Sequence, residues 1–392
     1  MSQAARRARE GLGDLDRYRV MRDTDPVAWD PKLEVWNVYR YSDIAAVLGD
    51  HKTFSSDFRK VLRDRSDLSE GNILGMDPPR HHQFRSLVSQ VFTPRAIGRL
   101  EGRIAGLTEE LIDSTQGRSR IELVGDLAYP LPVIVIAEML GVPAGDRPRF
   151  KVWADALLTR DSADPRDDAT IEATRVQLRK FHDYLREHVR DRRTRPGEDL
   201  LSDLVAAEVD GRGLDDGEIV GFATILLLAG HVTTTVLLGN AIRCLDEHPR
   251  ALEALRRGPE TIPTAIEEVL RYRGPIARTG RVTASDVELG GRRLPAGALV
   301  NLWLLSANHD ERQFEDPDGF VIDRHPNPHL GFGKGIHFCL GAPLARLESK
   351  IALGILLRRF ARLRVDPEQP LEPYPNPGFN GTKRLHLLVE AA

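Results

Sequence analysis

The most informative part of the sequence is the segment Phe332-Gly333-Lys334-Gly335-Ile336-His337-Phe338-Cys339-Leu340-Gly341, which precedes an apolar-periodic helix at residues 342–360. Three glycines around one cysteine let the backbone approach a flat ring closely, because glycine adopts conformations that other residues avoid. The start of the next helix brings its free N–H groups and its positive dipole end near the sulfur. The segment therefore predicts a thiolate at Cys339, suited to be the axial ligand of an iron porphyrin.

Other interpretations of Cys339 are weaker. A cysteine taken at random is most often a small buried hydrophobe, but the long motif around Cys339 argues against that. A zinc site needs two spaced ligands beyond Cys339 and His337, and the sequence does not provide them. The second cysteine is Cys244, and no Cys-x-x-Cys spacing occurs, which excludes a disulfide scaffold or redox pair.

Composition gives general limits on the partners. The 392 residues include 55 basic and 58 acidic ones, which are interspersed and give a net charge of −3. Such a chain has no overall field that would attract nucleic acid or an anionic membrane. Its first ten residues lack the apolar stretch of a signal peptide. We therefore expect a cytoplasmic enzyme with no nucleic-acid partner and no membrane association.

The hydrophobic pattern predicts a mainly α fold with small β-sheets, an α+β class. Apolar spacings of three and four run from about residue 80 to 270, and short strands are predicted at 35–39, 287–289, 299–302 and 384–389. The longest helix should begin at Asp215, which has capping-box spacing to Glu218, and end before Pro249. It has no charge from Ile219 to Ile242, which is compatible with a membrane span and also with a buried central helix. Its several polar residues favour burial.

The pattern Phe-Gly-x-Gly-x-His-x-Cys-x-Gly resembles the haem-binding signature of the cytochrome P450 superfamily, bacterial soluble class, at every defining position. The resemblance extends over nearly the whole chain and implies one P450 domain, residues 1–392, with a flexible N-terminus over residues 1–20. The implied fold is a triangular helical body with the long central helix over the haem. It also implies that Cys339 binds iron, and that the cofactor haem b (heme b, iron protoporphyrin IX) contacts Phe332, Gly333, His337 and Gly341.

Two further motifs resemble those of the family. Glu268 and Arg271 match its Glu-x-x-Arg motif, and Arg324 matches the arginine of the following meander. The resemblance implies that these three residues are structural and support the cysteine segment from behind. Without the resemblance, Glu268 and Arg271 would be interpreted as an ordinary surface ion pair.

The haem propionates are expected to bind cationic donors. By position in the family's pattern these are His81 and Arg85, in a helix that begins near Pro79, and Arg281 in a strand. Arg278 is a nearby competitor for the role of Arg281.

The segment Ala229-Gly230-His231-Val232-Thr233-Thr234 resembles the family's oxygen-binding motif, Ala-Gly-x-Asp/Glu-Thr-Thr. Ala229 and Gly230 would let the helix pass over the haem, and Thr233 should bond the carbonyl of Ala229 and open a polar notch. Thr233 and Thr234 are the expected catalytic residues. Val232 replaces the family's acid, so protons would have to come through water at Thr233, Thr234 or His231, or from a substrate hydroxyl.

The resemblance implies a monooxygenase, of the kind found in bacterial secondary metabolism, that hydroxylates or epoxidises a lipophilic molecule such as a polyketide, terpenoid, steroid or fatty-acid-like compound. It would use O2 and electrons from NAD(P)H, delivered by a ferredoxin reductase and a ferredoxin to a monomer. A peroxide-driven peroxygenase, suggested by Val232, and a non-catalytic haem-thiolate recruitment protein remain alternatives. The substrate contacts implied by position are Ile73, Leu74, Leu226, Val232, Ile276, Ala277 and Phe379.

Two surface features complete the sequence-based hypothesis. The polar regions 58–70 and 160–168 are candidate entry lids. Residues 341–364 contain six basic side chains against the single acid Glu348, which suggests a basic patch for an acidic ferredoxin.

Overall fold

The computed structural model describes residues 15–61, 70–162, 167–209, 211–374 and 376–392. Over these residues the fold is mainly helical, as predicted. The α-helices are α1 (Leu15–Thr24), α2 (Tyr41–Gly49), α3 (Arg80–Val91), α4 (Pro94–Gly98), α5 (Glu101–Asp113), α6 (Pro130–Met139), α7 (Arg147–Ser162), α8 (Asp168–Thr194), α9 (Leu200–Ala206), α10 (Asp216–Glu247), α11 (Pro249–Arg257), α12 (Ile262–Tyr272), α13 (Leu304–Asn308) and α14 (Ala342–Arg359).

Short strands form small sheets beside the helices. The strands are β1 (Val27–Asp30), β2 (Val35–Val38), β3 (Phe54–Ser55), β4 (Arg120–Glu122), β5 (Glu208–Val209), β6 (Arg212–Gly213), β7 (Thr279–Thr283), β8 (Val287–Leu289), β9 (Arg292–Leu294), β10 (Leu299–Leu302), β11 (Phe360–Val365) and β12 (His386–Ala391). In the largest described sheet, of order β1-β2-β10-β7-β3, strand β10 runs parallel to β2 and antiparallel to β7. A second sheet has the order β11-β12-β4, and two hairpins pair β5 with β6 and β8 with β9.

Helix α10 begins and ends where the sequence predicts. The Asp215 side chain accepts the N–H of Glu218 at 2.8 Å, and the Glu218 carboxylate accepts the N–H of Asp215 at 3.2 Å. Pro249 starts the next helix directly after His248. By length and composition alone α10 could cross a membrane, but 72% of its most apolar window is buried inside the protein. The burial supports the interpretation of α10 as a central core helix.

The largest core packs α10 against α6, α8, α12 and α14. Leu107, Leu131, Ile219, Ile266 and Leu356 are examples of its fully buried side chains, each of which stabilises the fold by roughly 1.5–3 kcal/mol. This core holds α10 beside α14, the helix that follows the Cys339 segment, and so fixes the two sides of the candidate site.

Most local predictions agree with the structure. The four predicted strands are present as β2, β8, β10 and β12, the last displaced by two residues to His386–Ala391. The expected flexible N-terminus, residues 1–20, falls partly outside the described residues. From Leu15 onward the chain is helical, and the buried Tyr18 of α1 packs on the two rings of Tyr39 and Trp303.

Candidate functional site

One face of α10 is accessible although the middle of the helix is otherwise mostly buried. Ala229 is exposed, and Leu226, Gly230 and Thr233 are partly exposed, while residues 231–232 are buried. Positions i, i+3, i+4 and i+7 lie on one side of a helix. These four residues, the α10 open face, therefore border accessible space along one side of a mostly buried helix.

Threonine hydroxyls bond the helix backbone at this face. Thr233 donates to the carbonyl of Ala229 at 2.6 Å, which confirms the predicted bond, and Thr234 donates to the carbonyl of Gly230 at 2.9 Å. Thr233 is partly exposed, whereas Thr234 is buried. The first hydroxyl therefore borders the space, and the second lies behind it.

Residues 332–341, the cysteine loop, form a tight turn before α14. The N–H of Cys339 donates to the carbonyl of Phe332 at 2.9 Å. Gly333 and Gly335 have φ angles of +72° and +73°, a region that favours glycine. A Cβ on Gly335 would lie 2.5 Å from the carbonyl oxygen of Leu48. The glycines are thus required by backbone conformation and by close packing, as the motif suggests.

Opposing effects act on the pKa of the Cys339 thiol. Burial raises the pKa of its thiol, while the N–H groups of Gly341 and Ala342 and the charge of Arg85 lower it. Burial is the largest of these effects and keeps the pKa of the thiol above its ordinary value, while the backbone donors at the start of α14 act in the direction that the motif predicts. A cation bound directly to the sulfur would reverse the balance, because metal coordination deprotonates a thiol.

Four potential donors form a second cluster, the cationic edge, made of His81, Arg85, Arg281 and His337. The rings of His81 and His337 have centroids 4.3 Å apart. Both ring nitrogens of His81 and Nε2 of His337 have no hydrogen-bond partner among the described residues. Arg281 is buried and Arg85 is half-buried. Neither arginine forms an ion pair with any residue that the structure describes.

Desolvation dominates the electrostatics of the cationic edge. Burial lowers the pKa of His81 to about 4 and that of His337 to about 3, and it lowers the pKa of Arg85 and Arg281. Nη1 of Arg281 already donates to the carbonyl of Gly280 at 2.7 Å, and the remaining desolvated donors are suited to an anionic group. Arg278 instead stacks over the ring of Trp303 at 5.5 Å, so Arg281 is the arginine that joins this edge.

The structure brings Glu268, Arg271 and Arg324 together. The carboxylate of Glu268 accepts two bonds from Arg271, at 2.7 and 2.8 Å, and is approached by Nε of Arg324 at 3.1 Å. It also accepts the N–H of Val321 at 2.9 Å and Nδ2 of Asn327 at 3.2 Å. Glu268 and Arg271 are fully buried, so this is a buried charged network and not a surface pair.

The same network connects α12 to the meander before the cysteine loop. Arg271 donates to the carbonyls of Asn308, Pro317 and Gly319 at 2.7–2.9 Å. The N–H of Leu330 in turn bonds Oδ1 of Asn308 at 2.8 Å. The position of the cysteine loop therefore depends on these buried charges.

The residues beside Thr233 point elsewhere. Nδ1 of His231 bonds the carbonyl of Leu227, and its ring meets Tyr129 edge-on with centroids 5.5 Å apart. Burial lowers the pKa of His231 to about 4. Val232, which we expected among the substrate contacts, is 1% exposed and adds no surface to the α10 open face. Neither residue borders the space in front of Thr233.

One polar residue of the site was missed at the sequence level. Glu348 on α14 is 1% exposed, contacts the hydroxyl of Thr234, and has no partner for Oε1 among the described residues. Burial raises its pKa to about 8. The sequence indicates this burial, because Leu344, Ile351 and Ala352 are apolar and lie at helical spacing from Glu348.

Two of the expected substrate-contact segments pair with each other. Ile276 lies opposite Phe379 in an antiparallel bridge. The N–H of Ala277 donates to the carbonyl of Gly378 at 2.9 Å, and the N–H of Asn380 donates to that of Pro275 at 2.7 Å. We call residues 275–277 and 378–380 the paired walls.

The remaining predicted contacts lie on a short turn, Ile73–Gly75. Ile73 is buried, and Leu74 is 55% exposed. Much of the candidate lids, residues 62–69 and 163–166, lies outside the described residues.

The predicted basic patch of residues 341–364 is not a free positive surface. Each of its six cations forms an ion pair with an acid elsewhere in the chain, so the excess counted along the sequence is neutralised in the fold. The pairs are Arg346–Glu267, Lys350–Glu101, Arg358–Glu109, Arg359–Asp113, Arg362–Glu390 and Arg364–Asp246.

The comparisons with known proteins agree over most of the chain. A family model described as Cytochrome P450 matches residues 168–388. Cyclomarin C epoxidase CymV of Salinispora arenicola is 47% identical over 96% of both chains. Erythromycin C-12 hydroxylase of Saccharopolyspora erythraea is 45% identical over 96% of this chain and 94% of the relative.

Solved structures give the same result. HmtT, involved in himastatin biosynthesis, aligns with a TM-score of 0.89 at 47% identity and covers 95% of this chain and 96% of its own. Substrate-free CYP109E1 from Bacillus megaterium aligns with a TM-score of 0.92 at 41% identity, over 98% and 100% of the two chains. The cysteine loop and the α10 open face both lie within the residues that the family model matches.

Proposed function

The chain belongs to the cytochrome P450 family of monooxygenases, and on that basis we propose that it hydroxylates or epoxidises a lipophilic small molecule, with Cys339 as the ligand of a haem iron. The observation that carries the proposal is the open space bordered by Thr233 and its neighbours on α10, together with the cysteine loop and the cationic edge. The relatives include a named epoxidase and a named hydroxylase, so both reactions stay within the proposal.

The residues fit a haem by their chemistry. The unpartnered ring nitrogens of His81 and His337 and the desolvated guanidinium groups of Arg85 and Arg281 suit two propionate carboxylates. Cys339 would bind the iron, with Phe332, Gly333 and Gly341 against the ring; a Cβ at Gly341 would meet nothing within 4 Å. Ala229 and Gly230 would face the opposite side of the ring. When bound, the haem supplies the activation of O2 for insertion of one oxygen atom into a C–H or C=C bond.

The chain must also deliver protons, and here Glu348 and Thr234 support a route that does not need an acid at position 232. Because burial raises the pKa of Glu348 to about 8, its carboxyl group keeps its proton at neutral pH. Glu348 would donate that proton to Oγ1 of Thr234, whose own proton would leave the carbonyl of Gly230, which it bonds at 2.9 Å, for a water held by Thr233 at the α10 open face. Val232 then needs no role in proton transfer.

The substrate would lie between the α10 open face and the paired walls. Leu226, Ile276, Ala277 and Phe379 are apolar, as are Ile73 and Leu74 on the turn before α3. A pocket of such residues with few polar groups favours a lipophilic ligand. This supports a polyketide, terpenoid, steroid or fatty-acid-like substrate.

Electrons would come from NAD(P)H through a ferredoxin reductase and a ferredoxin in the cytoplasm, to a monomeric enzyme. The cations of α14 are paired, so the docking surface for an acidic ferredoxin is better sought at Arg95, Arg99 and Lys334. These three are exposed, and none forms an ion pair within the part of the chain that the structure describes. The 42% exposed ring of Phe338 lies in the same loop as Lys334 and provides an apolar contact.

The test is the absorption spectrum of the reduced protein with carbon monoxide. A thiolate ligand gives a strongly red-shifted Soret band, and Cys339→Ala should lose the band, while Cys244→Ala, at the buried cysteine far along α10, should keep it. Retention of the band by Cys339→Ala would overturn the assignment. Turnover with hydrogen peroxide alone, equal to that with a ferredoxin system, would favour the peroxygenase alternative. Absence of product with any redox partner across a broad substrate panel would favour the recruitment alternative.

A further inference from the structure

Asn240 lies on α10 seven residues after Thr233, so both residues occupy the same side of the helix. Its side chain is 1% exposed, and Nδ2 donates two hydrogen bonds of 2.7 Å. One acceptor is the carbonyl of Arg273, just before the first paired wall, and the other is the carbonyl of Asn380, in the second wall. A single amide thus connects the helix that carries Thr233 to both walls.

Further contacts make this connection rigid. Nδ2 of Asn380 donates to the carbonyl of Gly274 at 3.1 Å, which adds to the main-chain bond from Asn380 to Pro275. Gly381 lies directly on α10, since a Cβ there would be 2.6 Å from Cγ1 of Val236. Val236 is one turn after Thr233 and one turn before Asn240. The second wall is therefore held against α10 at two successive turns.

We propose that Asn240 is a positioning residue that sets the distance of the paired walls from Thr233 and thereby selects which substrate atom is oxidised. The inference rests on the proposed function, because the walls matter only when a substrate lies between them and Thr233. Without the two donors of Asn240, its hydrogen bonds to these two carbonyls are lost, and the walls gain freedom to move away from α10. A loosened pocket binds large ligands less tightly, because more order must be imposed on binding.

The test uses the haem-loaded full chain and two azole probes that bind haem iron. Imidazole is too small to reach the walls, and clotrimazole is large enough to fill the pocket. Asn240→Leu removes both donors at similar volume. Gly381→Ala leaves Asn240 intact and pushes the second wall away from Val236, so it serves if Asn240→Leu does not fold. Both variants should raise the ratio of the clotrimazole dissociation constant to the imidazole constant by about three- to ten-fold.

Thr235→Val is the matched control. Thr235 is a buried residue of α10 whose hydroxyl donates to the carbonyl of Ala128 at 2.9 Å, away from the walls. This variant loses a buried bond of the same helix and should leave the ratio unchanged. The inference is overturned if the two wall variants leave the ratio within two-fold of wild type, or if Thr235→Val changes it equally.

Hydrogen exchange of the full chain as purified separates this inference from the proposed function. The amides of Ala277 and Asn380 should exchange at least several-fold faster in Asn240→Leu, and at the wild-type rate in Thr235→Val. Failure of the wild type to bind imidazole through haem would reject the proposed function, and the exchange rates would still test the connection. Unchanged exchange in Asn240→Leu would reject the connection itself.

Discussion

Glu348 on α14 contacts the hydroxyl of Thr234 on α10, so one buried carboxyl group joins the helix behind the cysteine loop to the helix above the open space. Burial raises the pKa of this carboxyl from its ordinary 4.5 to about 8. In the unfolded chain the group loses its proton above about pH 4.5, but in the folded protein it keeps the proton until about pH 8. Its contribution to stability is therefore fully present below pH 4.5 and is lost as the pH rises to about 8.

Glu348→Gln should abolish this pH dependence. The free energy of unfolding of the variant minus that of wild type should be larger at pH 8.5 than at pH 5, by on the order of 3–5 kcal/mol for a pKa shift of this size. Urea unfolding at the two pH values measures the difference. Glu253→Gln, at an exposed position of α11, should show no such change. An equal difference between Glu348→Gln and wild type at pH 5 and pH 8.5 would contradict the assignment.

The same substitution tests proton delivery. A glutamine amide keeps the shape of the side chain but cannot release a proton at neutral pH, so the fraction of NAD(P)H converted to product should fall roughly ten-fold or more. Product and hydrogen peroxide measured against NAD(P)H consumed give this fraction. The Soret band of the reduced carbon monoxide complex should not change. Unaltered coupling would mean that protons come by another route.

The buried charges around Glu268 should be essential for the fold near the cysteine loop. Glu268→Gln removes the charge that compensates Arg271, which is fully buried, and Arg324. The expected loss in free energy of unfolding is about 3–5 kcal/mol, because an uncompensated buried charge remains. Arg19→Gln, at the half-exposed pair with Asp318, should lose less than about 1 kcal/mol. If urea unfolding showed that Glu268→Gln loses no more free energy of unfolding than Arg19→Gln, the network would not be stabilising.

The bounds of the central helix and the geometry of the cysteine loop could be predicted because short-range rules determine them, and the P450 fold could be predicted because the motifs resemble those of that family. Capping at Asp215, glycine conformations around Cys339 and the order of motifs depend on residues close in the sequence. The features that could not be predicted depend on residues that are distant in the sequence. The apparent positive patch of residues 341–364 is neutralised by acids such as Glu109 and Glu267, and the desolvation of Glu348 arises from the packing of α10 on α14. No local pattern records which charges meet across the fold.

Electron transfer should depend on unpaired cations. Arg99→Gln and Arg95→Gln remove exposed charges without ion-pair partners in the described ranges, so reduction by ferredoxin should slow by several-fold at low salt and its salt dependence should weaken. Arg358→Gln is the control, because Glu109 keeps its second partner, Arg359. Stopped-flow reduction at two ionic strengths gives the rates. If ferredoxin reduced Arg358→Gln more slowly than Arg99→Gln, the basic patch of residues 341–364 would again be the candidate docking surface.

Val232→Glu tests whether the position of the missing acid still matters. Val232 is 1% exposed and directly precedes Thr233, so a glutamate there enters apolar surroundings that raise its pKa and keep it protonated near neutral pH. A second proton donor next to Thr233 should raise the yield of product per NAD(P)H. The gain should be largest in the Glu348→Gln background, where the wild-type route is removed. If Val232→Glu does not restore coupling in that double variant although the carbon monoxide spectrum is normal, proton supply does not limit coupling at this site.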